Sequence, residues 1–258
     1  MQRRDFLGAT CLAGATALGA IAPAARAGDP PHKQILELRL YRLDAGAMRE
    51  RFEKFLAEAA IPAWNRLGVK PVGVFAEEKG PDLYVLLPHE SAESFAAAAQ
   101  RLWADAEYQK AGAAVLDTPK DAPAYKRIET WLMLAFDAVP KVETPTKKDS
   151  RVFQLRTYES HSDMKARKKI EMFNAGGEVA IFRRTGVNPV FFGETLAGTK
   201  IPNLTYMLGF DDAQAQKAGW DAFMKDPEWI KIRDDAQYKD TVSNITNLVL
   251  RPAACSQI

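Results

Sequence analysis

Two short segments place arginine and tyrosine together on one face of an extended strand. Leu36-Glu37-Leu38-Arg39-Leu40-Tyr41 alternates apolar and polar residues, and Phe153-Gln154-Leu155-Arg156-Thr157-Tyr158 follows the same plan. Strand side chains point to opposite faces in turn. Arg39 and Tyr41 therefore share a face with Glu37, and Arg156 and Tyr158 share one with Gln154. Arginine's planar fork matches a carboxylate, and tyrosine supplies both a ring surface and a hydroxyl. The chemistry that suits this set is capture of a small anionic or aromatic ligand. Two arginines entering one enclosed space repel each other unless carboxylates or an anion offset them. Glu178, at a helix break, and Glu194, at a strand end, are the further candidates. The competing reading is a structural ion pair, because ion-pair networks perturb charged groups as readily as function does.

Other chemistries find little support. The histidines are His32, His89 and His161, with no two at metal-pair spacing, and there is no H-E-x-x-H or C-x-x-C. His89 and His161 each follow a predicted strand, which places them in loops. No G-x-S-x-G, Walker or G-x-G-x-x-G string occurs, which removes the motifs of triad hydrolases and nucleotide-phosphate enzymes. Ala175-Gly176-Gly177-Glu178 lacks the Lys-Ser/Thr of a phosphate loop and reads as a helix break. The cysteines are Cys11 and Cys255; the latter alone remains after the leader and cannot form an internal disulfide.

The elements that carry these residues are written twice. Leu38-Arg39-Leu40-Tyr41 returns as Leu155-Arg156-Thr157-Tyr158, Gly68-Val69-Lys70-Pro71-Val72 as Gly186-Val187-Asn188-Pro189-Val190, and Asp105-Ala106-Glu107-Tyr108 as Asp226-Pro227-Glu228-Trp229. Two copies are too few for a solenoid and indicate a duplicated domain. In the first copy, strands are expected at 35–41, 69–76, 83–87 and 128–136. Met48, Phe52, Phe55, Leu56 and Ala59 form one helical stripe, and Phe95, Ala99, Leu102, Trp103 and Ala106 another. In the second copy, strands fall at 152–158, 187–195, 204–210 and 244–250. One helix lies within 163–184 and another starts at Ala213, breaking at Asp226-Pro227, where proline suits the first turn of a new helix capped by Asp226. The order is β-α-β-β-α-β in each copy, the split ferredoxin-like arrangement of the α+β class. The expected division is 1–27 leader, 33–137 first domain, 138–150 linker and 151–252 second domain.

The leader has three parts. Arg3-Arg4 precedes Phe6-Leu7, residues 8–22 are small and apolar, and Ala25-Arg26-Ala27 resembles a cleavage site. These are the parts of a secretory signal, with the arginine pair of twin-arginine export. The apolar run is shorter than the roughly 20 residues needed to span a bilayer. The expectation is a periplasmic or secreted protein with no membrane span once the leader is removed. The chain has 35 Lys and Arg against 33 Asp and Glu. The leader holds Arg3, Arg4 and Arg26 against Asp5, so the remainder is neutral and lacks the basic field that nucleic-acid binding requires.

The second half is similar to the NIPSNAP family, in the form that bacteria export with a twin-arginine signal. RVFQLRTYES, KIEMFNAGGEVAIFRRTGVNPVFFGETL, IPNLTYMLGFDD, DPEW and VSNITNLVLRP carry the resemblance and cover most of 151–252. The first half carries it through LELRLY, residues 67–75 and ADAEY, with Ala106 in place of the proline and Tyr108 in place of the tryptophan. The resemblance implies a dimeric α/β barrel, in which two four-stranded sheets close face to face and the strand arginines and tyrosines point inside. Whether the barrel closes within one chain or between chains of a homo-oligomer is open at this level. Barrels of this kind hold haem on a histidine, which would make His89 or His161 an axial ligand, although the sequence itself indicates no cofactor. The family implies no single activity. A small-molecule-binding or accessory barrel is the leading expectation, beside a cofactor-independent monooxygenase or isomerase and a protein-interaction adaptor. Replacing Arg3 and Arg4 by lysine should strand the precursor in the cytoplasm, as read by fractionation and immunoblotting; normal export of that double variant would exclude the twin-arginine route.

Overall fold

The computed structural model describes residues 32–258. The leader residues Arg3, Arg4, Ala25 and Ala27 lie outside them. The alternating segments form strands as expected: β1 (Ile35–Arg42) and β5 (Val152–Glu159) open the two copies. Each strand leads into a helical layer. The first is α1 (Ala47–Phe55), continued through a π-type turn at Leu56–Ala60 into α2 (Ile61–Arg66). The second is α5 (Asp163–Phe173) and α6 (Glu178–Arg184), separated at the expected glycine break, where Gly177 adopts φ 87°. A strand pair follows in each copy, β2 (Gly73–Glu77) with β3 (Leu83–His89), and β6 (Asn188–Ala197) with β7 (Asn203–Phe210).

The next helices break in both copies. α3 (Ala92–Trp103) gives way to α4 (Ala106–Leu116), and α7 (Ala213–Lys225) to α8 (Pro227–Asp234). Asp226 caps α8 through the backbone N–H groups of Glu228 and Trp229, with Pro227 in the first turn as expected. Asp105 caps α4 in the same way although no proline follows it. The aspartate, whose carboxylate satisfies orphan N–H groups, is what the break requires. The stripe assigned to α3 needs correction: Ala98 and Leu102 are buried, whereas Trp103 is 59% exposed. Strands β4 (Arg127–Ala135) and β8 (Asn244–Pro252) close the copies.

The eight strands form one closed barrel in the order β1-β3-β2-β8-β5-β7-β6-β4. Each copy contributes four consecutive strands, and the copies meet edge to edge at β2–β8 and β4–β6. The barrel therefore closes within one chain, by joining sheet edges into a ring. Both seams are laced by the segment that follows the last strand of a copy. At one, Phe136 N–H donates to Phe192 O (3.0 Å) and Glu143 N–H to Val190 O (2.8 Å). At the other, Ala253 N–H donates to Val74 O (2.9 Å) and Gln257 N–H to Val72 O (2.9 Å). Residues 138–150 thus pack on the fold, with Val139 fully buried.

Three apolar layers result. One lies between the first helical layer and its sheet, one fills the barrel, and one lies between the second helical layer and its sheet. Leu36, Leu38 and Leu40 belong to the barrel interior with Phe75, Phe153, Leu155, Phe191 and Met207. A single copy would leave two strand edges unpaired and this inner face in water. Residues 28–140 and 150–258 expressed separately should therefore aggregate or dimerise and form a monomeric complex when combined, as measured by light scattering; two well-behaved monomeric halves would contradict the closed ring.

Candidate functional site

The alternation read from the first strands is correct, but the faces are exchanged. Leu36, Leu38 and Leu40 point into the barrel, and Arg39 and Tyr41 lie under the first helical layer, Tyr41 packing against Phe52 of α1 at 4.6 Å. The guanidinium of Arg39 lies 5.7 Å from the Trp64 ring of α2. Arg156 and Tyr158 likewise face the second helical layer, with Arg156 5.0 Å from the Trp220 ring of α7. The physical reason is closure. A closed eight-stranded barrel must be filled by its own side chains, and its interior is the hardest place to hydrate a guanidinium. The layer between helices and sheet opens at its ends, and the Arg39 side chain retains 24% exposure there. Arg39 and Arg156 therefore share no enclosure.

In the first copy Arg39 Nε donates to Glu37 Oε1 (2.6 Å) and its Nη1 to the Tyr41 hydroxyl (3.2 Å). Glu37 Oε2 is 3.0 Å from His89 Nε2. His89 corrects the loop expectation: it ends β3 and is 1% exposed. Burial acts to raise the Glu37 carboxyl, but the hydrogen bond to His89 and the charge and hydrogen bond of Arg39 outweigh it and hold it below the usual value. Glu37 thus offsets Arg39 and binds His89, and the one open position of the network is His89 Nδ1, buried without a hydrogen-bond partner. The network also answers the haem question, since His89 is tied to Glu37 with the Phe95 ring edge-on at 5.4 Å and does not line the barrel cavity. His161 sits exposed on the turn before α5. Neither histidine offers the free imidazole in a pocket that an axial ligand requires.

In the second copy Arg156, Tyr158 and Glu178 come together. The guanidinium of Arg156 is 5.3 Å from the Tyr158 ring, whose hydroxyl accepts from Tyr206 at 3.0 Å. Glu178, 2% exposed, accepts from Lys169 Nζ at 3.0 Å. Burial pushes its carboxyl above the usual range despite the charges of Lys169 and Arg156. Glu194 stays apart from this group. It is half-buried opposite Leu134 and Leu204 on the helix-facing side.

The barrel holds the other feature, a cavity of about 300 Å³ at one mouth. Leu38, Leu40, Tyr84, Trp131, Leu155 and Leu248 supply apolar wall, and Thr157, Thr199, Thr205 and Thr246 supply hydroxyls. Its rim carries Arg42, Glu129 and Lys200. Arg42 donates to Asp82 (2.9 Å) and Glu129 (2.8 Å), and Lys200 lies 3.4 Å from Glu159. Each rim cation is thus paired with a carboxylate.

The loop between β6 and β7 shapes this mouth. Asn203 is buried and donates to the carbonyls of Thr199 (3.1 Å) and Lys200 (3.0 Å), while its own oxygen accepts from Thr195 (2.6 Å). Gly198 sits at φ 146°, and a Cβ there would meet Trp131 at 2.5 Å. The absence of a side chain lets Trp131 lie flat on the loop and donate to Thr199 at 3.1 Å. The opposite end of the barrel is filled, with Phe153, Val190, Phe191 and Ile258 packed together and Val142 against them. Sequence reasoning missed the cavity residues. Their only signal was the inward alternation of Leu38, Leu40, Leu155 and Thr157, which reads equally well as a helix-packed face.

Glu37→Gln should lower stability by about 3 kcal/mol at pH 7, because it leaves Arg39 buried beside a neutral amide. A depressed folded-state carboxyl stabilises above its unfolded value of 4.5 and loses that contribution as pH falls through the folded value. The difference between wild type and variant in urea unfolding should therefore shrink below about pH 4.5; a pH-independent difference would contradict the charged network.

The NIPSNAP family profile matches residues 36–118 and 153–257, one stretch in each copy. No curated protein matches the chain. Among solved structures, a monooxygenase-like protein from Lactobacillus acidophilus aligns with TM-score 0.59 at 11% identity, over 85% of this chain and 94% of that one. A second, from Fusobacterium nucleatum, aligns with TM-score 0.58 at 8% identity, over 86% and 93%. An anthrone oxidase-like protein aligns with TM-score 0.51 at 12% identity, over 87% and 93%. At such identities the likeness is one of fold, that of the α/β-barrel proteins. With the family profile covering most of both copies, the chain belongs to the NIPSNAP family.

Proposed function

We propose that this NIPSNAP protein is a small-molecule-binding barrel whose ligand occupies the mouth cavity. The observation that carries the reading is the cavity itself, a space of about 300 Å³ in a barrel otherwise filled by side chains. Ligand sites are typically concave and mostly apolar, with a few convergent polar groups. Here leucine and aromatic walls surround threonine hydroxyls, and the rim cations are already paired with carboxylates. That lining suits a neutral, flat, largely apolar molecule bearing one or two hydroxyl or carbonyl groups. An anion would find the rim cations already paired and Glu129 beside it, and is disfavoured there. In the same reading the two copies are tandem ferredoxin-like domains, and the arginine pair with the Ala25-Arg26-Ala27 site directs the chain out of the cytoplasm.

1-Naphthol serves as a neutral probe. It should bind the wild-type protein and quench tryptophan fluorescence, and Trp131→Phe should bind it with a smaller quench. Leu155→Trp fills the space at an overpacking cost of about 1–3 kcal/mol and should abolish binding while keeping the far-ultraviolet circular dichroism spectrum. Undiminished 1-naphthol binding by Leu155→Trp, or none by wild type, would refute the assignment.

A further inference from the structure

The two copies differ at the positions that build the network of the first-strand arginine. Arg39 has Glu37 two residues earlier on its own strand and His89 at the end of the neighbouring strand, in the register Ile35↔His89. The same register in the second copy pairs Val152 with Phe210, and the place of Glu37 is taken by Gln154. The amide of Gln154 is already committed. Its Oε1 accepts from Trp220 Nε1 (2.7 Å) and Gln216 Nε2 (3.2 Å), and its Nε2 donates to Asn247 (2.8 Å). The carboxylate that offsets Arg39 thus has no counterpart beside Arg156.

The helical layer does not make up the difference. Phe52 packs on the Tyr41 ring in the first copy, whereas Lys169 lies over the Tyr158 ring at 5.6 Å in the second. Lys169 brings its own partner, Glu178, at 3.0 Å, and both side chains are at least nine-tenths buried. That pair balances itself. Arg156 is then the surplus cation of a group holding two cations and one carboxylate. Its guanidinium stands against the Tyr158 and Trp220 rings at 5.3 and 5.0 Å, and its Nε is buried without a hydrogen-bond partner. A second buried donor without a partner, Trp229 Nε1, belongs to the same aromatic wall, through Phe223 at 4.4 Å. Buried donors are almost always paired, and Arg156, although its side chain as a whole is partly exposed, holds one that is not.

We propose that the second copy, unlike the first, binds a monocarboxylate with a flat apolar body on Arg156, between the walls formed by Tyr158 and Trp220. One surplus charge selects a monoanion. The fork of arginine donors selects a planar carboxylate, and the aromatic walls select a flat group beside it. This site lies on the opposite side of the sheet from the barrel cavity, so the two assignments stand or fall separately.

Benzoate is the probe, titrated by calorimetry and by tryptophan fluorescence into the full-length protein. Wild type should bind it, and Arg156→Met should weaken binding by about tenfold or more at an unchanged melting temperature, as expected for loss of charge-assisted hydrogen bonds. Arg39→Met should leave benzoate affinity unchanged while lowering the melting temperature. Leu155→Trp, which blocks the barrel cavity, should also leave it unchanged. Should Arg156→Met fail to fold, Arg156→Lys retains the charge without the fork and should lose most of the affinity. Absence of benzoate binding by wild type, full affinity in either Arg156 variant, equal loss in Arg39→Met, or tighter binding of inorganic phosphate than of benzoate would overturn the proposal.

Discussion

Closure of the hydrogen-bonded ring is the constraint on which the rest of the structure depends. Each copy carries four strands with two free edges, and backbone groups at such edges need partners. The ring meets that need by joining β2 to β8 and β4 to β6, so that each copy covers the other's edges. The seams are short, and β4–β6 shifts register between Leu132 and Met133. Extra hydrogen bonds from the inter-copy connection and from residues 253–257 lengthen them. Two segments with no sequence likeness perform equivalent tasks because they occupy equivalent places.

Closure also decides which face of every strand is driest. The interior receives leucine, phenylalanine and methionine at one end and a mixed apolar and threonine lining at the other. The arginine–tyrosine rows are left to the helix side, where aromatic rings and buried carboxylates receive them. There the duplicated domains part ways. The first uses Glu37, itself bonded to His89, to neutralise Arg39. The second spends its buried carboxylate, Glu178, on Lys169, and Arg156 is held by rings. A duplicated unit needs only one copy to preserve a stable packing, and the second copy is where charge remains in excess.

Much of the architecture was legible in the residues. The repeat, the strand alternation at 35–41 and 152–158, the glycine break before Glu178 and the aspartate cap at Asp226 all rest on local rules of spacing and backbone geometry. The grouping of Arg156 with Tyr158 followed from parity alone. Lys169 escaped notice because nothing in its helix distinguishes a lysine that folds inward from one that reaches into water. His89 was misplaced because a strand end and a loop share the same local sequence. The stripe containing Trp103 failed because Ala98 and Leu102, one turn apart, define the buried face, and the bulk of tryptophan does not.

The sequence by itself determined the duplication, the order of elements in each copy and the sharing of strand faces, since these depend on near-neighbour geometry. Only the tertiary structure decided which face is inside. β3 is buried along its whole length and β1 nearly so, so neither face announces itself as the solvated one. In from out is then settled by the other copy: once two four-stranded sheets close into one ring, the space at its centre excludes charge, and the leucines occupy it. That exclusion separates Arg39 from Arg156, opens the mouth cavity where the side chains grow small and polar, and leaves Arg156 among rings without the carboxylate that its counterpart has.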